Sequence, residues 1–329
     1  MTTGGFGTEG VRRPEGEGPG AVPSDLCLVT TFFNPARFRK KLQRYLDFAN
    51  RAAASGLRLF TVECACHEGE FEIEAVRDVM RLRAGDPIWQ KERLLNLAIR
   101  RLPRQFTKIV AIDFDVVFEN PEWAFETSRL LDEVPLVQPF ETAIWLPRDA
   151  TRADGTGLVF PSFASRHAAD ASCVAAGDFA AHGVPGYAWG IRRDLLERHG
   201  LYDACVIGGG DHLIAHAACG DWTSPCFDWS VGIGTVQHRH FVRWAETFHC
   251  DVRGRMAFVP GRLLHLWHGQ WKDRRYTSRH LHLREFDFDP DLDIRVGSDG
   301  CWEWSGEKAE LRDAVAAYFA NRQEDGAED

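Results

Sequence analysis

No stretch of this chain approaches the about eighteen consecutive apolar residues of a membrane helix, and its N-terminus lacks the apolar core of a secretory signal. Arg12-Arg13 leads directly into Pro-Glu-Gly-Glu-Gly-Pro, so a twin-arginine signal is missing as well, and the expected location is the cytoplasm. An excess of basic residues is also missing. With a formal net charge of −9 and a pI near 5.8, nothing is left over to displace the counterions of a nucleic acid, and an anionic ligand requires a local basic patch. The nine cysteines are scattered, with Cys64-Ala-Cys66 the one close pair and no C-x-x-C, which reads as reduced core thiols. There is no Gly-x-x-x-x-Gly-Lys, hence no P-loop, and no internal repeat. His212-Leu213-Ile214-Ala215-His216 has the spacing of a zinc peptidase helix without the Glu that must follow its first His. Asp287 to Asp293 resembles a calcium loop, but Leu292 sits at the glycine position and Ser298 at the position of the bidentate Glu.

What is present is globular: 329 residues, 44% hydrophobic and 26% charged, enough for one large core or two small ones. Residues 1 to 24 are rich in Gly, Glu and Pro and are expected to form a disordered leader. Within it, Gly5 to Gly10 matches the dinucleotide fingerprint but follows no strand. Leu26 to Phe33 reads as a strand, Asn34-Pro35 as a helix start, and Phe38, Leu42, Leu46, Ala49 and Ala53 recur at helical spacing until Gly56. Leu57 to Val62 is a second strand, which makes a βαβ unit with a parallel neighbour. Glu63 at its end is placed to accept from a ribose or base. Asp86-Pro87 caps a further helix, Val134 to Leu146 is strand-like, and Glu307 to Asn321 is an amphipathic helix.

The centre of the chain is the apolar run from Lys108 to Phe118, which carries Asp113 and Asp115. Read as a buried strand, period-2 alternation turns both carboxylates to one side. Close like charges need a cation between them, and oxygen ligands suit Mg²⁺ or Mn²⁺. The plainer alternative is a capping Asp beside an ordinary ion pair.

Three blocks in order give the chain a resemblance to GT-A fold glycosyltransferases, which move a sugar from a nucleotide diphosphate donor. They are Asp113-Phe114-Asp115; the stretch from Gly186-Tyr187-Ala188-Trp189-Gly190 through Gly200-Leu201-Tyr202-Asp203 to Gly208-Gly209-Gly210-Asp211; and His265-Leu266-Trp267-His268-Gly269. The last two are similar to the GxYD…GGE(D/N) and H-x-x-H stretches of β-galactosyltransferases and polypeptide N-acetylgalactosaminyltransferases. The departures are Asp211 in place of Glu and Ile207 in place of Trp, and no lectin domain follows, so a soluble bacterial or phage type fits better than either family.

The resemblance implies an α/β fold, a Rossmann-like mixed sheet with flanking helices, over residues 25–290, followed by an extension over 291–329. It also implies a divalent metal, Mn²⁺ or Mg²⁺, held by Asp113, Asp115 and His268, and a nucleotide-sugar donor, expected to be a UDP-sugar. Lys91 and Asn96 become donor-facing, and Asp211 becomes the group that orients the acceptor hydroxyl and takes its proton. The plain alternatives are a packed histidine for His268 and a helix N-cap for Asp211. Arg274 and Tyr276, in a basic segment led by Gly269, are either a diphosphate-binding lid or a solvated loop. The acceptor is open between glycan, peptide and small molecule. The rival functions are a metal-dependent phosphohydrolase or nucleotidyltransferase, and a non-catalytic carbohydrate-binding module on the same fold.

Overall fold

A computed structural model describes residues 22–66, 69–176, 179–275 and 278–326. Tyr276 and almost all of the expected leader lie outside them. Strands are β1 (Leu26–Phe33), β2 (Leu59–Cys66), β3 (Val79–Ala84), β4 (Lys108–Ile112), β5 (Val116–Phe118), β6 (Leu136–Gln138), β7 (Thr142–Trp145), β8 (Leu158–Pro161), β9 (Ala188–Arg192), β10 (Met256–Phe258), β11 (Arg262–His265), β12 (Ile294–Val296) and β13 (Trp302–Trp304). Helices are α1 (Arg39–Ala54), α2 (Lys91–Arg101), α3 (Trp123–Glu133), α4 (Phe163–Ala169), α5 (Phe179–His182), α6 (Arg193–His199), α7 (Gly210–Cys219), α8 (Pro225–Val231), α9 (Val236–Val252), α10 (Trp271–Arg274), α11 (Leu281–Glu285), α12 (Pro290–Asp293) and α13 (Ala309–Asn321). None of these helices is long and apolar enough to cross a membrane.

The main sheet has seven strands in the order β10-β6-β9-β4-β1-β2-β3. β1 pairs in parallel with both β2 and β4, whereas β9 runs antiparallel to β4 and β6. Strand β1 is apolar on both faces because both are covered. Leu26, Leu28 and Phe32 share one core with Tyr45, Phe48 and Ala52 of α1. Cys27, Val29 and Phe33 share the other with Leu94, Leu95, Ala98 and Ile99 of α2. The chain leaves β1 toward β2 and β3 and returns on the other side at β4, so the carboxyl ends of β1 and β4 bound a switch point. In open α/β sheets that crevice receives the ligand.

A smaller sheet, β5-β11-β7-β8, stands beside the main one. It replaces the single strand expected over 134–146, which divides into β6 and β7 so that one half joins each sheet. Two expected helix starts also move. The second helix begins at Lys91, because Asp86 and Gln90 turn away to accept the backbone amides of Trp304 (3.1 Å) and Trp302 (2.8 Å). The first begins at Arg39, because Asn34 forms its own turn by accepting the Phe38 amide at 3.0 Å. The C-terminal residues pack into the same core as α2: Ile294, Trp304, Leu311, Val315 and Phe319 are all buried there.

Candidate active site

Strand β4 ends at Ile112, so Asp113 and Asp115 stand in the turn after it rather than within the strand. The Asp113 amide donates to the Tyr187 carbonyl at 2.8 Å, tying the turn to the start of β9. Directly after Asp115 comes β5, which pairs antiparallel with β11 so that Val116 lies opposite His265. The Leu266 amide donates to the Asp115 carbonyl at 2.8 Å. That pairing brings together residues about 150 positions apart in the chain.

Two charge clusters result. In the first, His268 Nε2 lies 3.3 Å and His265 Nε2 3.8 Å from Asp115 Oδ2, and the two Nε2 atoms are 2.7 Å apart. Asp115 Oδ1 and His268 Nδ1 are buried with no hydrogen-bond partner among the described residues. Burial pushes the Asp115 carboxyl up, but the His265 ring and the guanidinium groups of Arg44 and Arg274 more than reverse this and hold it below its ordinary value. One carboxylate oxygen and two imidazole nitrogens, with an unsatisfied oxygen beside them, fit a divalent transition metal such as Mn²⁺ better than Mg²⁺.

The second cluster is built on Lys91, the first residue of α2. Its Nζ lies 2.7 Å from Asp113 Oδ1 and 3.0 Å from Asp211 Oδ2. Burial favours the neutral amine, yet the two carboxylates overrule it and raise its pKa. Asp113 is pushed up to about 6 by burial and by Asp211 and Asp115, with Lys91 opposing. Glu92 is pushed up to about 8, chiefly by burial, against the pull of Lys91. Asp211 lies in the first turn of α7 and does not cap it, since the N-cap is Gly209 in the left-handed region at φ 97°. The glycines ahead of Asp211 have a steric reason. A Cβ on Gly210 would fall 2.2 Å from the Glu92 carboxylate, and one on Gly209 2.8 Å from the His280 ring.

Both clusters open into one cavity of about 280 Å³ at the switch point. Lys41, Arg44, Arg274, Arg279 and Arg322 contribute positive charge to its wall, and Trp145, Phe160, Tyr187 and Trp229 contribute rings. Of the residues singled out from sequence, Asp113, Asp115, Lys91, Asp211, His268 and Arg274 line it. Glu63 and Asn96 do not appear in the wall. The Glu63 carboxylate accepts the amides of Glu72 and Ile73 and faces Arg81 at 3.5 Å. Asn96 joins α2 to the Gly-Leu-Tyr-Asp stretch, accepting from the Leu201 amide at 2.8 Å and donating to its carbonyl at 2.9 Å. Arg44, Arg322 and Glu324 also line the cavity. No motif marks them in the sequence: Arg44 stands on a helix whose signal is its apolar side, and the other two follow the last helical period of the chain.

No family model and no curated protein matches the chain. Among solved structures, the catalytic domain of Drosophila β1,4-galactosyltransferase 7 with xylobiose is similar over 58% of this chain and 58% of its own length, at 14% identity and TM-score 0.29. A variant of that enzyme with manganese, UDP-Gal and xylobiose aligns over 82% of this chain and 86% of its own, at 10% identity and TM-score 0.38. Glucosyl-3-phosphoglycerate synthase from Mycobacterium tuberculosis, with Mn²⁺, UDP-glucose and phosphoglyceric acid, aligns over 85% and 86%, at 12% identity and TM-score 0.39.

Proposed function

We propose that this chain is a metal-dependent glycosyltransferase of the GT-A kind that binds a nucleotide diphosphate sugar, with UDP as the nucleotide, in the cavity at the switch point. The observation that carries the reading is the meeting of Asp115 with His265 and His268 next to a second acid pair, Asp113 and Asp211, held by one lysine. Its order along the chain matches the three blocks of the sequence resemblance. Asp115, His265 and His268, with Asp113 near by, would hold a divalent cation, which would supply positive charge to the diphosphate and to the leaving group. Arg44 and Arg274 offer guanidinium groups to phosphate oxygens, a geometry that arginine matches better than lysine. Lys91 fixes the Asp211 carboxylate by hydrogen bonds, and Asp211 orients the acceptor hydroxyl and accepts its proton. The nine cysteines, all thiols, suit a cytoplasmic enzyme.

Incubation with UDP-sugars and Mn²⁺ tests the reading. Slow release of UDP with free sugar supports transfer chemistry, whereas release of UMP or phosphate makes the chain a phosphohydrolase or nucleotidyltransferase. Sugar binding that survives chelation and gives no turnover makes it a binding module. Asp115→Ala and His268→Ala are each expected to weaken Mn²⁺-dependent nucleotide binding by roughly tenfold or more, the usual cost of a lost ligand or its support. Unchanged Mn²⁺ affinity in both variants would falsify the shared metal site.

A further inference from the structure

Beside the cavity is a second cluster that the transfer reaction does not use. His182, His212, His216 and Cys226, all buried, each bring one ligand atom to within 4.8 Å of the others. His212 and His216 stand one turn apart on α7 with ring centroids 4.2 Å apart, His182 is the last residue of α5, and Cys226 belongs to the first turn of α8. The Nε2 atoms of His182 and His212 each lie 3.1 Å from Cys226 Sγ.

The proton positions follow from the partners. His216 Nδ1 lies 2.7 Å from Asp221 Oδ2, and the other oxygen of that carboxylate accepts the amides of Thr223 (3.3 Å) and Ser224 (3.1 Å). A carboxylate only accepts, so Nδ1 carries the hydrogen and Nε2 is a bare lone pair. His216 is fully buried, and this Nε2 has no hydrogen-bond partner among the described residues. His182 Nδ1 lies 2.8 Å from the Gly183 carbonyl, which fixes the same tautomer there and turns its Nε2 lone pair toward the sulfur.

We propose that His182, His212, His216 and Cys226 bind a structural Zn²⁺. Three neutral imidazoles and a thiolate are a tetrahedral zinc donor set, too soft for the Mg²⁺ or Mn²⁺ suited to nucleotide phosphates. Four protein ligands close the coordination sphere, so the ion does not take part in chemistry. Binding releases the Cys226 thiol proton. Asp221 plays the supporting part of a carboxylate behind a ligating histidine, holding its tautomer and orientation. The pair on α7 is not half of a peptidase site, because Leu213 stands where the general-base Glu would follow the first His, and four protein donors leave no position for a water. The ion would clamp three short helices together, among them the one that presents Asp211 to the cavity, and so would position that residue without touching substrate.

The test uses the full chain purified from zinc-supplemented medium. Metal analysis is expected to give one tightly held zinc per chain. X-ray absorption at the zinc edge is expected to show one sulfur at about 2.3 Å and three nitrogens at about 2.0 to 2.1 Å. Replacement by Co²⁺ should give the visible bands of a tetrahedral ion and a near-ultraviolet thiolate charge-transfer band, which Cys226→Ser abolishes. Asp221→Asn should weaken Zn²⁺ binding roughly 10- to 100-fold, whereas Asp115→Ala and His268→Ala should retain the zinc. A wild-type zinc with no sulfur neighbour, no retained zinc, or a charge-transfer band that persists in Cys226→Ser overturns the proposal. Should Cys226→Ser fail to fold, the wild-type edge spectrum decides by itself.

Discussion

Among single residues, Glu92 has the most conspicuous electrostatic position. Its carboxyl is buried among Lys91, Asp113 and Asp211, and its pKa is raised from 4.5 to about 8. In the unfolded chain it ionises near its ordinary value, so the stability that comes from keeping its proton is complete below about pH 4.5 and lost as pH rises through about 8. Glu92→Gln should therefore raise the melting temperature relative to wild type at pH 8 while leaving it nearly unchanged at pH 4.5; equal shifts at both pH values would show that Glu92 ionises normally. Asp211 permits a separate test of proton transfer. Asn at this position still accepts from Lys91 Nζ but is a poor base. Asp211→Asn should keep a near-native melting temperature and metal-dependent donor binding, with transfer slowed by roughly 10² to 10⁴-fold. Transfer at the wild-type rate would leave Asp211 with only its ion pair. Asp113 and Asp115 stand out in the sequence because two acids two residues apart in an apolar run need a cation between them, whereas His268 and Asp211 stand out only through the resemblance of their blocks to those of GT-A transferases. Glu63 and Asn96 show the limit of that method. A polar residue at the end of a strand or on a helix looks the same in sequence whether it meets a ligand or satisfies a neighbouring backbone.

At the level of elements, α1 has no side-chain cap of its own at Phe38. Its free N-terminal amides are served from far along the chain, with Asp325 accepting from Arg39 at 3.0 Å and Lys40 at 2.8 Å. Losing this cap should cost about 1 kcal/mol. In Asp325→Ala, denaturant titration should show that loss, and hydrogen exchange should quicken at the Arg39 and Lys40 amides; unchanged exchange there would mean that solvent serves them equally well. The long elements were legible: α1 and α13 follow from the spacing of apolar residues, and β1 and β2 from their apolar runs. Short strands were not. β5, β7 and β11 have three or four residues each, too few for alternation to register, yet their pairing is what carries His265 and His268 to Asp115. The cap on α1 was equally hidden, since no local pattern reports a partner almost three hundred positions away.

For the molecule as a whole, the βαβ start read from the sequence corresponds to β1, α1 and β2, and the apolar run after α2 to β4, whose carboxyl end bounds the crevice. The reversed direction of β9 and the second sheet depend on long-range pairing and were not foreseeable. If the cavity binds a nucleotide through a metal, UDP with Mn²⁺ should raise the melting temperature by a margin that grows with ligand concentration, and neither alone should do as much. A panel of UDP, GDP and ADP with and without Mn²⁺ checks both the nucleotide and the metal; identical shifts with and without the ion would remove metal from the account. The wall of the same cavity extends in sequence from Thr31 to Glu324, with Arg322 and Glu324 closing it beside Arg274 and Trp89. A chain emerging from the ribosome folds its N-terminal part first, so the crevice stands without this wall until Arg322 and Glu324 have been made. A ligand that relies on Arg322 or Glu324 can therefore steady only a chain in which that stretch has already folded back, and β1, β2 and α1 must hold together before then.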